Sequence, residues 1–380
     1  MATLIEARAP GKLVIVGEYA VLAGAPGLAV AVDVRAEARI TSLAGSGNQL
    51  VIPDTGESFR FRWMPGSGPR WEGDSPGAFG LPLEVCGEIL TARGLLPRAS
   101  ELPVSRIELT TAAFHQTSSD GQRVKLGLGS SAAIVVALTG ALLRLAGDPV
   151  LSQEELTAIC CEAHRRLQGG MGSGVDVATA ITGGTVAIAF NRQAGPDAPV
   201  PQAQPVSWPR RLSLVAVWSG ASASTPAMLG RLRAFRESDA ARFASHMERL
   251  GANAGQAVAA WRAEDLGSLF SAITGYESGL RQLDAAAGIG IFSPSHERLR
   301  EIALKHGAVY KPSGAGGGDF GIALTDSRTV AQALRAGYAA AGVAVLDAEL
   351  CAPGLSVRGS GTRRNLAGPG QIPGQIPGQS

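Results

Sequence analysis

The sequence is poor in cysteine, almost neutral in net charge and without a long apolar run. Its four cysteines, Cys86, Cys160, Cys161 and Cys351, form no Cys-x-x-Cys pair. This argues against structural zinc and indicates buried thiols in a reducing compartment. A net charge of +2 across 380 residues leaves no broad basic surface for nucleic acid. No segment resembles a signal peptide or a membrane span, so we expect a cytoplasmic protein with neither nucleic-acid nor membrane partners.

Two common nucleotide motifs are missing or weak. The Gly-x-x-x-x-Gly-Lys-Ser/Thr pattern of P-loop enzymes does not occur. The segment Gly127–Ala132 fits a relaxed dinucleotide pattern, but the acidic residue at the expected distance, Asp148, lies in a Gly-Asp-Pro turn. A dinucleotide site needs that acid at the end of a strand, so we do not favour this interpretation.

Glycine is abundant, and it is concentrated in two informative loops. The first glycine loop, Lys125–Ala133, runs into an apolar helical stretch, and the second glycine loop, Lys311–Asp319, runs into a strand. In the first loop, Gly127 and Gly129 let the backbone approach a ligand beside the positive end of the helix that follows. The helix is apolar on nearly every face, which predicts burial and a rigid loop. These features predict a polyphosphate site.

The chain is long enough for two packed domains. Aperiodic sequence between residues 191 and 209 predicts a boundary, which gives domains at 1–200 and 210–358. The Gly-Gln-Ile-Pro repeats of residues 359–380 predict a disordered tail. The predicted strands are Leu13–Val16, Leu28–Ile40, Arg106–Thr110, Thr185–Phe190, Leu212–Val217, one near Ala308, and Gly321–Leu324. The predicted helices are Leu83–Arg93, Ser130–Leu145, Ser152–Leu167, Ala227–Leu250, Asp265–Tyr276 and Ser295–His306.

A third informative segment precedes the two glycine loops in the sequence. Ala9–Leu13 and Gly17–Leu22, followed in order by both glycine loops, resemble the three signature motifs of the GHMP kinase superfamily. Within it, the chain is most similar to the phosphomevalonate kinase branch. Three features carry this likeness: Lys311-Pro312-Ser313, Gln168 ahead of Gly172–Ala178, and the segment Trp218–Thr225.

The resemblance implies an α+β, two-domain GHMP kinase fold. Its N-terminal domain is related to ribosomal protein S5 domain 2, its C-terminal domain is ferredoxin-like, and ATP lies between them. It also implies phosphorylation of (R)-5-phosphomevalonate by ATP with Mg²⁺, by a monomer or homodimer, in the mevalonate pathway to isoprenoid precursors. Two alternatives stay open: another small-molecule kinase of the superfamily, of mevalonate or homoserine type, and a homologue that binds its ligand without catalysis.

The resemblance implies two catalytic residues, Lys12 and Asp176. A phosphate acceptor, whose second pKa is about 6, is already a nucleophile at neutral pH. We therefore expect Lys12 to offset charge repulsion and Asp176 to position it, although the family's aspartate also serves as a general base. Otherwise Lys12 is a solvated lysine and Asp176 stabilises the start of its helix.

The remaining site residues follow from the same resemblance. Ser130 is the candidate Mg²⁺ ligand, or else caps its helix. Mevalonate kinases carry a second metal-binding glutamate where this sequence has Arg165. Lys125 and Lys311 either reach phosphates or lie on the surface. The nucleotide-binding candidates are Lys125, Gly127, Leu128, Gly129, Ser130, Ser131 and Ala132. The substrate-binding candidates are Glu18, Tyr19, Ser173, Ser222, Ser224, Thr225, Lys311, Ser313, Gly314, Ala315, Gly316, Gly317 and Asp319.

Overall fold

The computed structural model describes residues 4–45, 47–117, 121, 123–170, 172–190 and 200–359. Within these ranges the strands are β1 (Leu4–Val16), β2 (Gly27–Ser42), β3 (Asn48–Ile52), β4 (Glu57–Trp63), β5 (Pro69–Glu72), β6 (Ser105–Thr110), β7 (His115–Thr117), β8 (Arg123–Lys125), β9 (Thr185–Phe190), β10 (Pro201–Val206), β11 (Ser213–Trp218), β12 (Val309–Pro312), β13 (Phe320–Thr325) and β14 (Ser356–Gly359). The helices are α1 (Leu81–Ala92), α2 (Ser130–Leu145), α3 (Gln153–Leu167), α4 (Val175–Thr182), α5 (Thr225–Ser238), α6 (Ala240–Arg262), α7 (Leu266–Ala287), α8 (Pro294–Lys305) and α9 (Arg328–Ala340).

A large mixed sheet forms the first half of the molecule. Its strand order is β10-β9-β2-β6-β3-β4-β5, and β1 pairs with β2 on one side and with β14 on the other. β1 and β2 are antiparallel from Leu4 opposite Thr41 to Val16 opposite Leu28. α2 packs on these two strands and is buried along almost its whole length. The apolar sequence of α2 is therefore explained by its position in the core.

A smaller sheet forms the second half. It has the order β11-β13-β12, all antiparallel, and Val345 adds an isolated bridge to Val217 at its edge. α8 and α9 pack against this sheet around a separate apolar core, while α6 and α7 pack against each other. Helices and sheets of this kind give the predicted α+β class.

Most of the predicted elements are present, with different ends. The predicted helix Ala227–Leu250 is wrong as a single element, because the chain breaks between α5 and α6 at Asp239. This residue has φ −147°, and its carboxylate accepts a hydrogen bond from the backbone N–H of Arg242. Aspartate in that role starts a new helix rather than continuing an old one.

Two segments for which the sequence predicts no strand belong to the large sheet. Pro201–Val206, predicted as part of an aperiodic linker, forms β10 at the sheet edge, where proline costs no ladder hydrogen bond. Ser356–Gly359 forms β14, which pairs with β1 from Ile5 opposite Gly359 to Arg8 opposite Ser356.

The predicted domain boundaries must be adjusted, because the chain comes back to the large sheet at β14. Residues 356–358 were assigned to the second domain, and Gly359 to the tail, yet all four pair with the first strand of the large sheet. Pairing occurs because β1 offers an open edge of backbone N–H and C=O groups. The rest of the predicted tail, residues 360–380, lies outside the described residues. Among those that are described, no helix is long and apolar enough to cross a bilayer.

Candidate active site

The first glycine loop is built as an anion cradle. Gly127 and Gly129 have φ of +76° and +86°, a region that glycine adopts without strain. Gly129 is the N-cap of α2, and no side chain caps that end of the helix. The free N–H groups at the start of α2 therefore face the cleft together with the positive end of the helix dipole.

Within this loop the two serines have different surroundings. Ser130 is 5% exposed and does not line the cleft, whereas Ser131 does. Ser130, the predicted metal ligand, therefore lies behind the cleft surface, and Ser131 is the serine of this loop that faces the cleft. Leu128 and Ala132 are also buried, at 0% and 1% exposure. They support the loop from behind, and the carbonyl of Leu128 accepts a hydrogen bond from the Lys12 N–H at 2.9 Å.

The second glycine loop is fastened to the same strand. The Ser313 hydroxyl accepts a hydrogen bond from the Val14 N–H and donates one to the Val14 carbonyl, both at 2.9 Å. Alternate residues of a strand direct their N–H groups to the same edge. The free edge of β1 therefore holds the first loop at Lys12 and the second loop at Val14, two residues further on. Ser313 has this structural role and does not line the cleft.

Two further glycines of the second loop are structural. A side chain at Gly316 would meet Ile291, and one at Gly317 would meet Gly290 and Met228. Both positions also have positive φ. Gly314, Ala315 and Asp319 are the residues of this loop that line the cleft, so the predicted direct contacts through Gly316 and Gly317 are not supported by their positions.

Lys311 was predicted either to reach a phosphate or to lie on the surface, and it does neither. Its side chain is 0% exposed and does not line the cleft. Its ammonium lies 2.5 Å from Glu18 Oε1 and also donates to the Pro312 carbonyl. Glu18 Oε1 accepts a further hydrogen bond from the Gly314 N–H at 3.2 Å. Lys311 therefore neutralises Glu18 behind the second glycine loop and does not reach a phosphate.

Tyr19 makes another connection between the first motif and the second glycine loop. It has φ +61°, is 4% exposed, and donates a hydrogen bond from its hydroxyl to the Ala315 carbonyl. Burial raises the pKa of this phenol far above its usual range. Tyr276, which the sequence gave no reason to select, donates to the Glu18 carbonyl at 2.6 Å. The turn after β1 is consequently held both by the second loop, through Ala315, and by α7, through Tyr276.

Lys12 lies between the two loops. A Cβ built on Gly129 would lie 3.4 Å from the Lys12 side chain and 3.8 Å from Asp176 Cβ, and one built on Gly314 would lie 3.8 Å from Lys12 Nζ. Neither Lys12 nor Lys125 forms a salt bridge within the described part of the chain. Because no carboxylate that the structure describes holds either ammonium in a direct ion pair, both are able to interact with an anionic ligand in the cleft.

Asp176 lies in the first turn of α4, and it also lines the cleft. Its Oδ2 is 3.8 Å from Nε2 of His164, a buried side chain that accepts a hydrogen bond from the Gln168 amide at 3.0 Å. His164 and Gln168 line the cleft too. The neighbouring Arg166 instead pairs with Glu162 at 2.5 Å in a separate surface groove.

The segment after β11 closes the cleft on another side. Ser222 and Thr225 line the cleft, while Ser224 is exposed outside it and is the N-cap of α5 without a side-chain hydrogen bond. Asp319 joins this segment to the second loop, because its Oδ1 accepts from the Ala223 N–H at 3.2 Å. Burial raises the pKa of the Asp319 carboxyl, although the Ala223 amide and the charges of Lys12 and Lys125 oppose this.

The resulting cleft encloses a cavity of about 210 Å³. The sequence-predicted residues that line it are Lys12, Glu18, Tyr19, Lys125, Gly127, Gly129, Ser131, Ser173, Asp176, Ser222, Thr225, Gly314, Ala315 and Asp319. An apolar wall, which includes Val21, Leu22 and Leu229, was not predicted. Val21 and Leu22 belong to the motif Gly17–Leu22, but nothing in the sequence shows that their apolar side chains face the cleft.

Comparison with known proteins defines the class. The family model "GHMP kinases N terminal domain" matches residues 101–184, and the family model "GHMP kinases C terminal" matches residues 232–344. The chain belongs to the GHMP kinase family, a family of phosphotransferases.

The chain is also similar to individual members of this family. The chain is 32% identical over 345 residues to the phosphomevalonate kinase of Streptomyces sp. (strain CL190), covering 85% of this chain and 90% of that protein. It is 30% identical over 187 residues to the mevalonate kinase of Aeropyrum pernix, covering 49% of this chain and 51% of that protein. The structure of Streptococcus pneumoniae phosphomevalonate kinase in complex with phosphomevalonate and AMPPNP has the same fold, with a TM-score of 0.70 at 21% identity over 92% of this chain and 99% of that one.

Proposed function

We propose that the protein transfers the γ-phosphoryl group of ATP to (R)-5-phosphomevalonate and forms (R)-5-diphosphomevalonate, a cytoplasmic step toward isoprenoid precursors. One observation carries the proposal of phosphoryl transfer. The Lys12 side chain passes between the two glycine loops: a Cβ built on Gly129 would lie 3.4 Å from its Cγ and Cε, and one built on Gly314 would lie 3.8 Å from its ammonium. A cation between two backbone anion cradles is suited to a donor phosphate and an acceptor phosphate that must approach each other.

The chain's own groups would divide the work as follows. N–H groups of the first glycine loop and of the start of α2 bind the nucleotide phosphates, with Lys125 at the entrance. The second glycine loop and the segment from Ser222 to Thr225 hold the acceptor. Because the acceptor phosphate is already ionised, Lys12 contributes mainly by offsetting repulsion as the new P–O bond forms and the bond to the ADP leaving group breaks.

Asp176 fits a positioning role in this scheme. Its Cβ lies near the same face of Gly129 as the Lys12 side chain, so its carboxylate can orient the ammonium. Its neighbours His164 and Gln168 are held by hydrogen bonds, which limits movement of the aspartate. An alcohol acceptor would need Asp176 as a proton acceptor instead.

The donor groups in the cleft also fit Mg²⁺. Ser131, Asp176 and Asp319 offer hard oxygen atoms. Among the residues the structure describes, no three His, Cys, Asp or Glu side chains are grouped so that they could hold a metal ion by themselves. Mg²⁺ bound with a nucleotide needs only one or two protein oxygens, because phosphates and water supply the others. Such an ion would supply charge neutralisation between donor and acceptor.

The substrate assignment rests on the phosphomevalonate kinase relative, which matches the chain over nearly its full length. A coupled ADP-release assay with mevalonate, mevalonate 5-phosphate, homoserine and galactose tests it directly. We expect turnover with mevalonate 5-phosphate alone. Turnover with an alcohol instead would identify another kinase of the family, and nucleotide binding without any turnover would identify a non-catalytic homologue.

A further inference from the structure

Asp319 occupies an unusual position at the junction of three loops. Its backbone N–H donates to the Ala221 carbonyl at 2.7 Å, and its carbonyl accepts from the Ser219 N–H at 2.8 Å. The Ala223 amide holds one carboxylate oxygen, Oδ1. The residue is therefore fixed by the segment after β11, and its carboxylate has little freedom to turn away from the cleft.

The other oxygen faces the first glycine loop. A Cβ built on Gly127 would lie 2.0 Å from Asp319 Cγ and 2.3 Å from Oδ2. The carboxylate therefore packs directly over the Gly127 Cα, on the surface that the proposed function gives to nucleotide phosphates. Two negative groups cannot share this surface unless a cation lies between them.

The two lysines do not remove this difficulty. Lys12 and Lys125 both lie close enough to influence the Asp319 carboxyl, yet neither forms a salt bridge with it in the described ranges. The Ser222 hydroxyl also hydrogen-bonds this carboxyl, but a carboxylate has about four lone-pair sites, so it can still bind a cation. A carboxylate oxygen beside phosphate oxygens is the environment that Mg²⁺ prefers.

We propose that Asp319 is a direct ligand of the divalent cation that accompanies the nucleotide, through Oδ2, and thereby couples nucleotide binding to the segment from Ser219 to Ala223. This inference rests on the proposed function, because it requires a bound nucleotide. It gives Asp319 a different role from the acceptor contact predicted from the sequence.

Calorimetric titration with ADP in excess Mg²⁺ and again in EDTA tests the inference without measuring catalysis. Asp319→Asn retains an oxygen for the Ala223 amide and suits φ +56°, which asparagine tolerates. In Mg²⁺ we expect ADP affinity to fall by at least about ten-fold, the lower end of what loss of even an indirect partner costs a metal site. In EDTA we expect the variant to bind ADP as tightly as the parent or more tightly, because one negative charge has gone.

The controls separate the possible explanations. Asp326→Asn removes a charge from an exposed aspartate at the far end of β13 and should leave both affinities unchanged. Asp319→Gly, which also suits the positive φ, should likewise lose most of the Mg²⁺ dependence if the asparagine variant does not fold. Mn²⁺ in place of Mg²⁺, followed by electron paramagnetic resonance, should show weaker ion binding in the ADP complex of either variant.

Two results would overturn the inference alone. An equal loss of affinity in both buffers would mean that Asp319 only supports the loop, and unchanged affinity in Mg²⁺ would mean that it is not a ligand. If the parent protein failed to bind ADP in either buffer, the proposed function itself would be wrong, and this inference with it.

Discussion

Replacement of Lys311 should destabilise the protein strongly, although its side chain does not line the cleft. Lys311→Met leaves the Glu18 carboxylate 2% exposed and without its cation. Only the Gly314 N–H would remain on Oε1, and Oε2 already has no hydrogen-bond partner among the described residues. Breaking a buried ion pair from one side typically costs about 3–5 kcal/mol of unfolding free energy, and we expect a loss in that range.

The matching double variant shows whether the ion pair is the cause. Glu18→Gln combined with Lys311→Met leaves two neutral groups, so it should be more stable than the sum of the single losses predicts, by about 2–3 kcal/mol. Urea denaturation at pH 7, followed by circular dichroism, measures all four proteins. The exposed pair Arg233–Glu237 on α5 is the control, with an expected coupling of about 0.3–0.5 kcal/mol. If the effects of the Glu18 and Lys311 changes simply add to within about 0.5 kcal/mol, the pair is not buried as described.

Three other changes test the site and its surroundings. Gly129→Val should weaken ADP binding, because φ is +86° and the Lys12 side chain is 3.4 Å from the added Cβ; unchanged affinity by calorimetry would mean that this loop is not the phosphate cradle. Lys12→Ala should lower kcat for mevalonate 5-phosphate by about 10²–10³, and by more than Asp176→Asn does; the reverse order, with recovery of Asp176→Asn at high pH, would indicate an alcohol acceptor. Burial lowers the pKa of His296 to about 4, so the unfolded chain takes up a proton near pH 6.5 while the folded protein does not. Unfolding free energy should therefore fall by up to about 3 kcal/mol as the pH drops from 6.5 to 4. Urea titrations of His296→Gln should show a smaller fall over this pH range, and an equal fall in the variant would refute the reasoning.

The sequence was most informative where glycine is required. Gly127, Gly129 and Gly314 have positive φ at the cleft, and a backbone that must approach a phosphate leaves few other residue choices. β4 was missed although Phe59, Phe61 and Trp63 alternate with arginines in a clear strand pattern.

Long-range contacts could not be found in the same way. The partner of Lys311 is Glu18, 293 residues away in the chain, and the partner of Val14 is Ser313, 299 residues away. A lysine before a glycine loop has the same local pattern whether it faces phosphate or a buried acid. Ser130 and Ser131 are likewise equivalent in sequence, and only the phase of α2 turns one to the core and the other to the cleft.

The order in which the partners of the β1 edge are synthesised also determines when the two glycine loops can be anchored during translation. This strand leaves the ribosome before its partners on that edge, which are Leu128, Ser313 and β14 and emerge in that order. Until each partner arrives, unpaired N–H and C=O groups of β1 are open to other strands. A nascent chain can therefore attach the first glycine loop to β1 early. The second glycine loop is not anchored beside Lys12 until translation has passed residue 313.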